Sequence, residues 1–101
     1  MNDPSILVLT SLADGDKHGY LMMEDIRVFS GVPIGPGTLY GAIARLEKAG
    51  LILAVPSDDP RRQPYRITGM GRQHLRTVVD GLDRITRAAS GRLTAGKAGT
   101  A

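Results

Sequence analysis

Residues 35–52 read GPGTLYGAIARLEKAGLI, and the fold turns on this stretch. Gly35-Pro36 breaks the preceding chain, and Pro36 suits the first position of a helix, where its missing N–H is no loss. Leu39, Ile43 and Leu46 fall at i, i+4 and i+7, on one face of that helix. Gly50 ends it as a C-terminal cap. With that face against a core, a rotation of about 100° per residue turns Gly37, Gly41, Ala44, Arg45 and Lys48 the other way. Thr38 and Tyr40 fall on the flanks. The outward surface is small near the helix start and cationic further along. Small residues let a helix approach the floor of a DNA major groove, while Thr, Tyr and Arg reach phosphates or base edges. The helix N-terminus adds free N–H groups and partial positive charge. The same surface also fits an ordinary exposed helix face, and Glu47 near its edge works against an anionic partner.

Two helices precede this one. Asp3-Pro4 reads as an N-cap followed by a first-turn proline. Ile6, Leu7, Val8, Leu9 and Leu12 then make a helix that is apolar nearly all round and must be covered from more than one side. Gly15 ends it within the polar turn Asp14–Lys17. A second helix runs from about His18 to Ser30, with His18 capping or packing at its start. Tyr20, Met23 and Ile26 are its main apolar positions, with Met22 and Phe29 less central. Gly31-Val32-Pro33 stops it.

Downstream, Leu51 to Val55 is a short apolar, strand-like run, and Pro56–Pro60 is a turn cluster. Arg61 and Arg62 flank that turn, where a wing touches backbone or minor groove; Asp58 and Asp59 share the loop and oppose such contact. Tyr65-Arg66-Ile67-Thr68 alternates like a second strand. The last helix starts near Thr68 or Gly69 and runs to about Ala89. Leu75, Val78, Val79, Leu82, Ile85 and Ala89 form a regular stripe along it, with Leu93 in line. On the opposite face Asp80–Arg84 and Asp83–Arg87 have pairing distance. The tail 91–101, GRLTAGKAGTA, has little to bury and reads as a disordered basic extension. Three helices, a two-stranded hairpin and a final helix make a winged helix-turn-helix: mainly α, in the order α-α-α-β-β-α, over residues 1–90.

A chain of 101 residues has a thin core of its own. It has no cysteine, and His18 and His74 are far apart, so neither a disulfide nor a metal or other cofactor is expected to support it. A second copy is the remaining source of burial. The final helix (about 69–90) has a stripe longer than a small three-helix core covers, which places Leu75, Val78, Val79, Leu82, Ile85 and Ala89, with Ile6 and Leu9 of the first helix, at a homodimer seam. A two-fold pair presents two recognition helices to successive major grooves. Charge is uneven: residues 1–60 carry four basic and eight acidic groups, residues 61–101 nine basic and two acidic, net −4 and +7. A basic half on a small protein points to a polyanion, DNA or RNA, and with the winged helix-turn-helix plan the expected partner is double-stranded DNA. No run approaches a membrane span, and Asp3 stands where a signal peptide is positive, so the cytoplasm is the expected location. No phosphate-loop, nucleophile-elbow or His-Glu-x-x-His pattern is present, which argues against an enzyme.

The runs His18-Gly19-Tyr20, Gly35 to Ile52 and RRQPYRITGMGRQHL (Arg61 to Leu75) together resemble the PadR family, named after the phenolic acid decarboxylase repressor. The similarity covers roughly residues 5–88. The most specific parts are Gly37-Thr38-Leu39-Tyr40, the Leu46-Glu47-x-x-Gly50-Leu51-Ile52 core and Tyr65-Arg66-Ile67-Thr68-x-x-Gly71. The resemblance implies a homodimeric winged-helix repressor on a palindromic operator. It implies that Thr38 and Tyr40 touch DNA, Leu39 anchors the core, and Arg45, Arg61 and Arg62 support them. It also implies a small-molecule effector, since members often release DNA on binding phenolic or drug-like molecules. Members that bind flat drugs stack them on aromatics at the dimer interface, and this chain offers only Phe29, Tyr20, Tyr40 and Tyr65. It ends soon after one long helix, which fits the short members. A winged-helix adaptor for protein, or a non-specific DNA binder, is the alternative.

Overall fold

The computed structural model describes residues 3–97. Its elements are α1 (Pro4–Leu12), β1 (Lys17–His18), α2 (Gly19–Ser30), α3 (Pro36–Lys48), β2 (Ile52–Ala54), β3 (Pro64–Ile67) and α4 (Gly69–Lys97). This is the expected winged helix, with one added strand. β3 lies in the middle of an antiparallel sheet of order β1-β3-β2, pairing Ile52 with Ile67 on one side and Lys17 with Tyr65 on the other. β1 has only two residues and no alternation to announce it; its extended shape comes from a neighbouring strand with hydrogen bonds to offer.

Helix α1 is the centre. Asp3 caps it by accepting from the Ser5 N–H at 2.9 Å, and Pro4 sits in its first turn. Leu7, Val8, Leu9 and Leu12 are buried, against Met22 and Ile26 of α2, Leu39, Ala42, Ile43 and Leu46 of α3, and Ile52 and Ile67 of the sheet. Each such side chain contributes about 1.5–3 kcal/mol by leaving water. Leu9, expected at the dimer seam, is fully buried in this core instead, because α1 is wrapped by its own chain. Ser11 is also buried; its hydroxyl donates to Asp25 on α2 at 2.7 Å. The Lys17 ammonium donates to the Ser11 carbonyl and to Asp14. A small polar joint thus ties α1, α2 and the intervening turn.

Two expectations about α2 and α4 change. In α2 the inward residues are Gly19, Met22 and Ile26, whereas Tyr20 is 63% exposed and Phe29 43%. Packing sets this phase, with Met22 and Ile26 turned into the core, while His18 caps the start of the helix, its Nδ1 accepting from the Leu21 N–H. In α4 the helix does not stop near Ala89 but continues to Lys97, so residues 91–97 are helical and not an unstructured tail; 98–101 lie outside the described residues. Ala88, Ala89, Arg92 and Leu93 are good helix formers, and they outweigh Gly91. Of the two expected pairs on its polar face, Asp83–Arg87 forms at 3.0 Å and Asp80–Arg84 does not.

Only the first part of α4 touches the domain. Thr68 caps it, its hydroxyl accepting from the Gly71 N–H at 3.0 Å. Gly71 is buried against the Leu51 carbonyl: a Cβ there would lie 2.1 Å from that oxygen and 2.8 Å from Ile67. Leu75, Val78 and Leu82 are half-buried, and from Asp83 onward every described side chain is exposed. At about 1.5 Å per residue the 29 residues of α4 span roughly 43 Å. The protomer is accordingly long, 60 × 26 × 20 Å.

Two outcomes follow from these contacts. Gly71→Ala forces its methyl against the Leu51 carbonyl and lowers stability by about 1–3 kcal/mol in a urea titration. At the root of the sheet, Arg66 donates twice to Asp16, at 3.0 and 2.8 Å, and holds the Asp16 carboxyl below its ordinary value of 3.8. A depressed carboxylate stabilises fully above its ordinary value, and that contribution fades as pH falls through the folded value. Arg66→Leu moves the Asp16 midpoint back up toward 3.8, read by carboxyl chemical shift in an NMR titration.

Candidate nucleic-acid interface

The outward face of α3 is built by its inward one. Leu39, Ala42, Ile43 and Leu46 are all buried, which fixes the rotation of the helix. Gly37, Thr38, Tyr40, Ala44, Arg45 and Lys48 are then exposed and Gly41 half-exposed, as the periodicity predicts. Gly35 supplies the N-cap without a side-chain hydrogen bond, so the first-turn N–H groups of α3 stay open to an anion.

Tyr40 leans away from the centre of this face. Its hydroxyl packs on the backbone of Gly19 at the start of α2, where a Cβ would lie 2.2 Å away. This contact brings α2, α3 and the wing around one groove of about 350 Å³, lined by His18, Gly19, Tyr20, Tyr40, Arg61, Arg62 and Gln63. His18, Tyr20 and Gln63 were not read from the sequence as part of a site. The compact His18-Gly19-Tyr20 run was the available signal: a cap, a gap for Tyr40 and an exposed phenol in three consecutive positions.

The wing arginines are present but tethered. Asp59 accepts from Arg61 Nε at 3.2 Å and lies 3.8 Å from Arg62 Nε. Hydrogen bonds from the Arg61 N–H and guanidinium, then the charges of Arg62 and His18, hold the Asp59 carboxyl below the usual range. Arg62 Nη1 also stands 3.2 Å from His18 Nε2, so the wing lies close to the start of α2; with Nδ1 accepting from Leu21, Nε2 carries the ring proton and does not accept from the guanidinium. Behind the wing, Tyr65 is half-buried, and burial followed by the negative charge of Glu47 pushes its phenol up. Arg45 and Lys48, by contrast, form no ion pair among the described residues.

The expected seam residues fall into three groups. Ile6, Leu75, Val78 and Leu82 are half-buried, Val79, Ile85 and Ala89 are exposed, and Leu9 belongs to the core. A second groove of about 420 Å³ lies between Ala13 and α4, lined by Arg72, Gln73, Leu75, Arg76 and Val79, with no aromatic side chain. Among the described residues, no cluster of His, Asp and Glu could hold a metal, and no helix is long and apolar enough to cross a membrane.

Residues 8–77, which carry α2, α3, the sheet and the root of α4, match the Transcriptional regulator PadR-like family. The chain belongs to that family. PadR-like proteins are transcriptional regulators that bind DNA. The chain is 31% identical to the transcriptional regulator Rv3488 of Mycobacterium tuberculosis, over 83% of this chain and 79% of that one. It is 40% identical to a 37.1 kDa protein in transposon TN4556 of Streptomyces fradiae, over 84% of this chain, but it spans only 24% of that relative's length. Among solved structures, a transcriptional regulator from Clostridium thermocellum superposes with a TM-score of 0.77 at 30% identity over 87% of each chain. A PadR family regulator from Clostridium difficile gives 0.79 at 26% identity, over 89% of this chain and 97% of that one.

The Tyr40–Gly19 contact can be tested directly. In Gly19→Ala the flexible phenol gives way and not the backbone, so the Tyr40 ring leaves the groove while the melting temperature changes little. Loss of nuclear Overhauser contacts between the Tyr40 ring and residues 18–20 reads the change.

Proposed function

We propose that this PadR-like protein is a sequence-specific DNA-binding repressor that occupies a palindromic operator as a homodimer, in the cytoplasm. The observation that carries the DNA reading is the face of α3: one side locked in the core, the other open, small at its start and holding Thr38, Tyr40, Arg45 and Lys48. Gly37 and Gly41 let the helix enter a major groove, and its open N-terminus suits a phosphate. Arg61 and Arg62 approach the flanking backbone, with Asp59 drawing off part of their charge. Repression needs no surface beyond this, since a bound dimer blocks a promoter by occupying it.

The dimer reading rests on α4. A projecting helix with Ile85 65% and Leu93 75% exposed leaves an apolar stripe in water, and an isolated helical segment of this length is marginal on its own. Pairing with the same stripe of a second copy, joined by Ile6, Leu75, Val78, Val79, Leu82 and Ala89, removes both problems. A two-fold pair would set two α3 helices one turn of DNA apart. The groove between Ala13 and α4 adjoins this stripe and is where an effector would sit, held by Arg72 and Arg76 and not by aromatic stacking.

Fluorescence anisotropy with DNA from upstream of its own gene, scrambled competitor and varied salt tests the reading. Binding that resists the competitor and weakens steeply with salt is expected. Binding equal on scrambled DNA leaves a non-specific binder, and none leaves a protein adaptor. Ile85→Asp tests the dimer, because Ile85 is exposed in the single chain: sedimentation is expected to show monomer, circular dichroism to lose only the helical signal of the projecting end of α4, and DNA affinity to fall with it.

A further inference from the structure

We infer that Arg45 is the base-reading side chain of the recognition helix and that it selects a guanine in each half-site. This deepens the proposed function and rests on it. The inference begins with the state of each cation on the DNA-facing side. Arg61 and Arg62 are both engaged by Asp59, and Arg62 also meets His18. Elsewhere Arg66 is forked onto Asp16, Arg27 bonds once to Glu24, and Lys17 bonds to Asp14. On α3 and the wing only Arg45 and Lys48 are without a hydrogen bond or ion pair among the described residues. Both lie in the last turn of α3, and Lys48 offers only a point charge.

Arg45 differs in its chemistry and in the backbone its side chain covers. A helical side chain leans toward the helix N-terminus, over the preceding turn. The residue one turn back is Gly41, and the Arg45 Nη1 stands 3.5 Å from where a Gly41 Cβ would be. The guanidinium therefore lies over the bare backbone of Gly41, on the side bounded by Gly37 and Ala44. Lys48 rises from the same outward stripe, one turn on from Ala44, so the two cations share this open surface and only Arg45 brings a planar fork to it. Tyr40 is turned toward Gly19 and the wing. A free, planar, forked donor over a bare helix turn matches the O6 and N7 acceptors of guanine, the one base edge that takes two hydrogen bonds from arginine. The wing arginines, tied to a carboxylate on their own loop, retain charge for phosphates but no free fork.

The test is a set of operator duplexes carrying every single base change in one half-site, titrated with wild type, Arg45→Ala, Arg45→Lys and Arg62→Ala. Arg45 is exposed, so matched circular dichroism melts check that each variant folds as wild type does. Wild type is expected to prefer guanine at one position by about 5- to 150-fold, the discrimination of one bidentate pair. Arg45→Ala flattens that position alone. Arg45→Lys flattens it too while keeping the salt slope, because charge remains and the fork is gone. Arg62→Ala weakens all duplexes alike. If the guanine preference survives in Arg45→Ala, or if Arg45→Ala weakens all duplexes uniformly, Arg45 is a phosphate contact and the inference is wrong, with the repressor reading intact. If wild type shows no base preference anywhere, both fall.

Discussion

The end of α3, the start of β2 and the start of α4 meet at Leu51. The Leu51 N–H donates to the Leu46 carbonyl at 2.9 Å and closes α3, with Gly50 in the left-handed conformation at φ 77°. Its carbonyl accepts from the Thr68 N–H at 3.0 Å, while the Thr68 hydroxyl donates to the Gly50 carbonyl at 2.8 Å and caps α4. Gly71 rests on the same carbonyl with no room for a side chain. One backbone carbonyl thus joins α3, with its open outward face, to the helix that projects from the domain. On the function proposed above, that joint would set half-site spacing, a geometric property of the whole protein.

Around that joint the molecule divides its labour by burial. The core is small and almost wholly apolar, with Ser11 satisfied by Asp25 as its one buried polar side chain among the described residues. Such a core orients α3 and leaves nothing charged inside. Charge is confined to the rim, where it is spent unevenly. Most exposed arginines near the sheet are paired with carboxylates of neighbouring turns, which stiffens the wing root and lowers the field it presents. On α3 and the wing the unpaired cations are Arg45 and Lys48, on the face that shape leaves open, while Arg76, Arg84 and Arg92 carry further unpaired charge along α4 among the described residues.

Much of this was legible in the sequence. The Leu39, Ile43, Leu46 period set the buried face of α3 and hence its exposed one. Gly35-Pro36 and Gly50 marked its ends, and the turn Pro56–Pro60 marked the wing. The errors share a cause. Tyr20 and Phe29 are apolar enough to join a stripe, yet the packing of Met22 and Ile26 into the core turns them out. Lys17-His18 has no strand pattern and is extended because β3 lies beside it. Leu9 fits a surface seam by pattern, and only the wrapping of α1 by three neighbours removes it. Residues 91–97 look too polar and glycine-rich to fold, but continuity with a long helix spares them the cost of nucleation.

What this sequence determined by itself is local: periodicity, caps and turns, which arise from contacts within a few residues and need no partner to be read. The tertiary structure alone decided which side chains share a space. Tyr40 meets Gly19 across 21 positions, Arg62 meets His18 across 44 and Gly71 meets the Leu51 carbonyl across 20. Such meetings depend on how whole elements pack, and packing is a property of the complete core and not of any one segment.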